Sequence, residues 1–472
     1  MTSETKMPVD ENQELNSNVL NDLARFALIL SEDIPVDVKE QAKLCILDTV
    51  GCMVSGIKVP EYFAVRSAEL ALGTGDGELS HLGQARLLGY LGDVLELNDL
   101  IGGHASIGIV TAVLSTAWRL GSSLEDVVDA VVVGNEVTAR LYEACAWTKK
   151  PYTDSGMVIP SLVSAFGAAA ALARLRGFSE KQTADSMSMA ATLTSWGPAE
   201  VIFGDGGTVK PFLFGSVPAD AAIRAMAYAE YGLTGPPRII DSPIGLMAAL
   251  AESFDATRIS SSDRWYLRTP QRKLHASCGY THSSIDAVVE LVKSRSDLAS
   301  AKSIRIHVPE YLLDAVWKSE PPRTSNEARF HLQYCVALAA TGSKIIEPRH
   351  MLDFEDYIHD ADVARLLQSI SIEAGSFEDI GQGKPYNSSE VTIEFENGEI
   401  LRGGCSAPRG SAGNALSPED VVAKFSRNSD GLLAPEVRES VVGLLVGTGR
   451  AGDLQPLWSL VDFLTNPSSS AL

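Results

Sequence analysis

The chain lacks long apolar runs, basic clusters and any cysteine framework, and each absence removes a class of protein. No stretch approaches the roughly 20 mostly apolar residues of a membrane-spanning helix, so none is expected. Lys and Arg number 39 against 60 Asp and Glu, for a net charge of −21, and no basic run stands out. Nucleic acid and anionic membrane surfaces are therefore poor partners, and basic groups that meet an anionic substrate must be local. The six cysteines (Cys45, Cys52, Cys145, Cys278, Cys335, Cys405) follow no framework spacing and lie mostly in apolar sequence, as reduced thiols of an intracellular protein do. The first 18 residues are polar and acidic, the wrong chemistry for a secretory or mitochondrial leader. They read as a disordered lead-in to a soluble, cytoplasmic protein. No internal repeat is visible.

What remains is ample for a large core. At 472 residues, 45% of them hydrophobic, the chain is long enough for two domains. The first part is helical in pattern. A stop and restart falls at Asp33 and Pro35, and the next helix buries Leu44, Ile46, Leu47 and Val50. Ser122 and Glu125 have capping-box spacing before another apolar helix. The long segments IPSLVSAFGAAAALARLRG and SEKQTADSMSMAATLTS are dense in Ala, Ser and Gly, which lets helices approach closely. Past about residue 270 the period changes to two in SIRIHV, SISIEA and SEVTIEF, with a hairpin turning at Asn397 and Gly398. From Ser417 an N-cap signature with Pro418 and Asp420 restores helix. The expected fold is mainly α with a second, α+β domain. A helical domain is built from residues 19–270 and 412–472, and the α+β unit is inserted at 271–411.

Chemistry concentrates in GDVLELNDLIGGHASIGIV, residues 92–110. Asp93, Glu96 and Asp99 lead through Gly102 and Gly103 to His104 at the start of a small-residue helix. A helix N-terminus and a glycine pair suit a bound anion; alternatively His104 only caps the helix and the acids face water. Lys210 follows a glycine cluster that includes Gly207, but Pro211 comes next, so the GxxxxGK[ST] phosphate-loop pattern is not met. A lysine in such apolar sequence either snorkels to the surface or keeps its charge with an anionic partner. In KLHASCGYTHSS, His275, Cys278 and His282 have ligand-like spacing without a fourth ligand, so no metal is assigned. His282 is instead expected to cap the next helix and face a cleft between the domains.

Taken together, ILDTVGCMVSG, His104 before its helix, FGAAAALARLRGFS, Lys210 after its loop, CGYTHSSIDAV, PPRTSNEARFHLQYCVALAATG and NALSPEDVVAKF resemble the MmgE/PrpD family. This is the group of 2-methylcitrate dehydratase, cis-aconitate decarboxylase and iminodisuccinate epimerase. The resemblance implies a homodimer with a cleft for a small carboxylic acid and no metal or organic cofactor. It places His104, Lys210 and His282 on family active-site positions. Two departures stand out: ELNDL replaces an acidic DFDDT-like run, with Asn98 and Leu100 in place of an acid and a hydroxyl, and Val158 lies where lyases of the family tend to carry a histidine.

The implied chemistry is proton transfer and charge stabilisation next to a carboxylate. Lys210 suits a cation or a base, His104 and His282 suit acid/base work, and Asp99 can orient an imidazole. Glu96, Gly103, Gly207, Tyr280 and Tyr142 complete the expected substrate-binding set. The readings are a cofactor-independent decarboxylase or dehydratase, an epimerase, a recruited cyclase or isomerase acting on a larger and less acidic substrate, or a non-catalytic carboxylate-binding or scaffold descendant.

Overall fold

A computed structural model describes residues 18–466 except 74, 76, 147, 151, 196, 204–206, 262–263, 296, 378–387 and 448–453. The expected lead-in and most of the GDGG loop lie outside the described residues. The fold is mainly α with a small α+β part.

The helical part is held together by helices that are apolar on every side. Ala105–Leu120 is buried from Ala105 through Ala117. Val36–Gly56 buries every residue from Leu44 to Gly56. Such helices pack only if neighbours come close, and glycine makes that possible. A Cβ on Gly134, in Leu124–Cys145, would stand 3.0 Å from the Gly167 carbonyl oxygen of Ile159–Arg176. The ends are signalled locally. Ser123 and Asp126 form a reciprocal capping box, one residue later than Ser122 and Glu125. Ser179 with Gln182 starts Glu180–Leu193, and Gly177, at φ 69°, ends the helix before it.

The last helices return to the first. Lys424, in Pro418–Ser429, pairs with Asp48 of Val36–Gly56 at 2.7 Å, with both side chains buried. The Tyr62 hydroxyl donates to the Leu464 carbonyl at 3.1 Å.

Four strands, β1 (Ser303–Val308), β2 (Ile370–Ala374), β3 (Ser389–Glu394) and β4 (Ile400–Cys405), form one sheet in the order β2-β1-β3-β4. β1 and β2 are parallel, with Ile304 opposite Ile370; β1–β3 and β3–β4 are antiparallel. Ile304 and Ile306 of β1 and Val391 and Ile393 of β3 face the core, as a period of two requires. His282–Ser294 packs across β3 and β4. The hairpin turns at Asn397 and Gly398, where Gly398 takes φ 82°. Among the described residues, no helix is long and apolar enough to cross a membrane.

Candidate active site

The loop between His81–Asp93 and Ala105–Leu120 is compact and strained. Glu96 (φ 53°) and His104 (φ 81°) are the non-glycine residues with positive φ among those described, and Gly102 and Gly103 share that conformation. Left-handed backbone at a non-glycine residue is costly and persists only where surroundings over-determine it. The surroundings here are charged. Asp93, Glu96 and Asp99 are 0%, 2% and 1% exposed, so this acidic loop does not face water.

Cations meet the acids from distant parts of the chain. Lys210 begins a turn that continues as the π-helical segment Phe212–Ser216, which lies against His81–Asp93. Its ammonium sits 2.9 Å from Asp93 Oδ2 and pairs also with Glu96. Lys273 binds the other oxygen of Glu96 at 2.7 Å and the Glu96 carbonyl at 3.1 Å. One carboxylate thus bridges two ammonium groups. Burial lowers the Lys210 pKa to about 8; Asp93 opposes that shift and the Lys273 charge adds to it. The snorkelling alternative is ruled out by the 7% exposure of Lys210.

Asn98 ties this cluster to His104. Its amide nitrogen donates to Asp93 Oδ1 at 2.8 Å, so its oxygen faces the His104 Nδ1, 3.1 Å away. An amide oxygen only accepts, which puts the His104 proton on Nδ1 and leaves a lone pair on Nε2 of the neutral ring. Burial, reinforced by the Lys273 charge, holds the ring well below the ordinary histidine range. His104 occupies the N-cap position, yet its side chain does not cap the helix. The half-buried ring stacks on Phe214 at 4.8 Å, and Lys210 Nζ lies 4.6 Å from the same ring centroid.

His282 begins His282–Ser294, and its Nε2 reaches back to the Ser277 carbonyl at 3.4 Å instead of capping the helix. Its pKa is also far below normal, first through burial and further through the nearby Lys273 charge. His275 stands edge-on to it at 4.9 Å between ring centres. His275 Nδ1 accepts the Ile346 N–H and its Nε2 donates to Asp286, so both nitrogens are committed. Among the described residues, no group of three His, Cys, Asp or Glu is placed to hold a metal.

Lys210 and Gly207 (φ 100°) reach the wall of a cavity of about 590 Å³. Its opposite wall, from residues 318–331, carries Lys318, Arg323, Arg329 and His331 together with Glu320 and Glu327. His104, His282, Asp99 and Glu96 are not among its described lining residues. Burial raises the Asp99 pKa to about 6 against the pull of Ser106 and Arg272. Gly103 (φ 70°) keeps its place beside His104. Tyr280 is half-buried with its ring edge-on to Tyr311 at 6.3 Å. Tyr142 lies on Leu124–Cys145, half-buried against the core and outside the described cavity wall.

The sequence assigns no site role to three members of this cluster, although Asp93 stands among the loop's acids. Lys273 lies two residues before a conspicuous histidine and has no motif of its own, yet its charge acts on His104, Lys210 and His282 alike. Asp93 and Asn98 stand out in the loop only as an acid and as a departure from a pattern.

Residues 21–259 match the MmgE/PrpD N-terminal domain and residues 275–444 the MmgE/PrpD C-terminal domain. Two sequences from Aspergillus terreus, each named cis-aconitate decarboxylase, are 24% identical to this chain, covering 97% of it and 98% of themselves.

Proposed function

The chain belongs to the MmgE/PrpD family, and on that footing we propose that it is a cofactor-independent lyase of small polycarboxylic acids, working by decarboxylation or dehydration. One observation carries this reading. In a protein of net charge −21, a buried ammonium with a pKa lowered to about 8 reaches a cavity whose wall carries three cations, Lys318, Arg323 and Arg329, against two carboxylates, Glu320 and Glu327, the latter paired with Arg323. Such a cavity attracts polyanions locally although the whole molecule repels them.

Decarboxylation breaks the bond between a carbon and its carboxylate. Carbon dioxide leaves, the electron pair spreads onto the neighbouring unsaturated acid, and a proton ends on carbon. Lys210 stabilises the developing charge as a cation and supplies the proton. Dehydration uses the same groups differently: hydroxide leaves with a proton from Lys210, and a base takes the proton beside the carboxylate. His104 Nε2 is our candidate for that base, although His104 is not among the described lining residues. His282 and Asp99 act behind these two, through the Lys273 charge and the loop. Return of the abstracted proton to the opposite face makes the second reading, an epimerase.

Leu100 and Val158 bear on a recruited enzyme with a larger, less acidic substrate. Leu100 packs toward Gly279 and borders a separate cleft of about 210 Å³, and Val158 is a buried N-cap; neither is among the described residues of the Lys210 cavity wall. The cationic wall therefore weighs for the acid.

The test is incubation in deuterated water with citrate, 2-methylcitrate, cis-aconitate and iminodisuccinate, followed by NMR. Decarboxylation or elimination supports the lyase, and exchange with inversion the epimerase. Silence on all four overturns both.

A further inference from the structure

Every buried lysine of the candidate site is matched by a carboxylate: Lys210 by Asp93 and Glu96, and Lys273 by Glu96. Arg329 is different. It is 4% exposed, borders the same cavity, and forms no ion pair with any described carboxylate. Its Nη1 donates to the Val94 carbonyl and its Nη2 to Ser325 Oγ at 3.3 Å, both neutral acceptors, and its buried Nε has no hydrogen-bond partner. Glu61 and Asp93 act on it only through longer-range charge.

A guanidinium is always charged at neutral pH, and burying it without a counter-charge is among the least tolerated arrangements in a protein interior. Its two outer nitrogens are pinned, so its plane is set before a ligand arrives. Phe330, next in sequence, lies under the Lys210 ammonium at 5.8 Å, so Arg329 and Lys210 face one cavity.

We propose that Arg329 is the anchor for a substrate carboxylate remote from the reacting carbon, and that it selects acids with an additional carboxylate over those lacking it. This rests on the polycarboxylate reading above and narrows it. The acid's planar carboxylate accepts from the unpartnered Nε–H, completing the pairing the protein leaves undone. The additional carboxylate then sits at Arg329 and the remaining two toward Lys210, so a bound tricarboxylic acid takes one orientation. Arg329 is a specificity residue, with no proton to give or take.

The test compares binding of two unreactive acids by calorimetry: tricarballylate, with three carboxylates, and glutarate, with two on the same main chain. Wild type is expected to bind tricarballylate at least tenfold more tightly. In Arg329→Met that preference falls to within twofold, and Arg329→Lys keeps an intermediate preference. Equal weakening of both acids in both variants, with the preference intact, overturns the assignment and makes Arg329 a structural tie to Val94. A crystal of wild type with tricarballylate gives an answer independent of how the variants fold. A carboxylate oxygen within about 3.2 Å of Arg329 Nε supports the proposal, and a bound acid with no carboxylate oxygen there overturns it. No binding of either acid by wild type overturns the polycarboxylate reading itself.

Discussion

Gly89 and Gly215 meet backbone to backbone: a Cβ on Gly215 would stand 2.7 Å from the Gly89 carbonyl carbon. This contact seats the π-helical turn Phe212–Ser216 on His81–Asp93. It is what lets Lys210, at the start of one segment, reach Asp93, at the end of the other.

Gly215→Ala therefore forces the two segments apart. Overpacking of this kind costs about 1–3 kcal/mol, and both the melting temperature and kcat are expected to fall together. Calorimetry beside steady-state kinetics checks this. An alanine variant with unchanged melting temperature and rate shows that the close approach is dispensable.

Lys210→Ala is expected to lower kcat by at least about a hundredfold, since it removes the cation beside the developing charge. The pH profile separates its two roles. The ammonium is the form present below its pKa, which burial lowers to about 8. A charge stabiliser predicts that kcat falls as pH rises through about 8, whereas a base predicts a rise. Lys210→Arg keeps its charge at higher pH and flattens that limb if the first role holds.

Asn98→Ala leaves Asp93 Oδ1 and His104 Nδ1 without their shared partner. The imidazole then loses both its tautomer and its aim. A fall in kcat of about tenfold or more with little change in KM is expected, within the range of acid/base contributions. Equal rates for wild type and variant would remove His104 from the chemistry.

Asp99→Asn tests the cost of the buried loop. The carboxyl titrates near pH 6 in the fold against an ordinary 3.8, so between those values the native state holds more protons than the unfolded one. Stability is then lost as pH rises from about 4 to about 6 and stays low above. A shift of about two units corresponds to ~3 kcal/mol, an upper bound on what the amide recovers at pH 7. Denaturant unfolding at pH 5 and pH 7.5 should show the variant gaining more at the higher pH; a loss at both contradicts the direction.

The strands of the sheet are legible in the residues because SIRIHV and SEVTIEF alternate on a period of two and Asn397-Gly398 supplies a turn that few other pairs allow. Helix ends are legible to within a residue, and the limit is instructive. Ser122 with Glu125 fits the usual box pattern better, yet Ser123 with Asp126 is the box that forms, with Leu124 as the first, buried helical residue. The site is less legible. His104, Lys210 and His282 stand out by type, while Lys273 and Arg329 lie inside KLHASCGYTHSS and PPRTSNEARFHLQYCVALAATG without standing out, and Tyr142 is not among the described residues of the cavity wall.

Local chemistry, then, dictated the elements: periodicity, caps and turn residues act over a few positions and need no partner. The charge network was decided elsewhere. Burial depresses the Lys210 pKa, and the lysine still keeps its charge because Asp93 stands 117 positions away in sequence and 2.9 Å away in space. Electrostatic energy depends on distance and on exclusion of water, and both arise only once the helices have closed on one another.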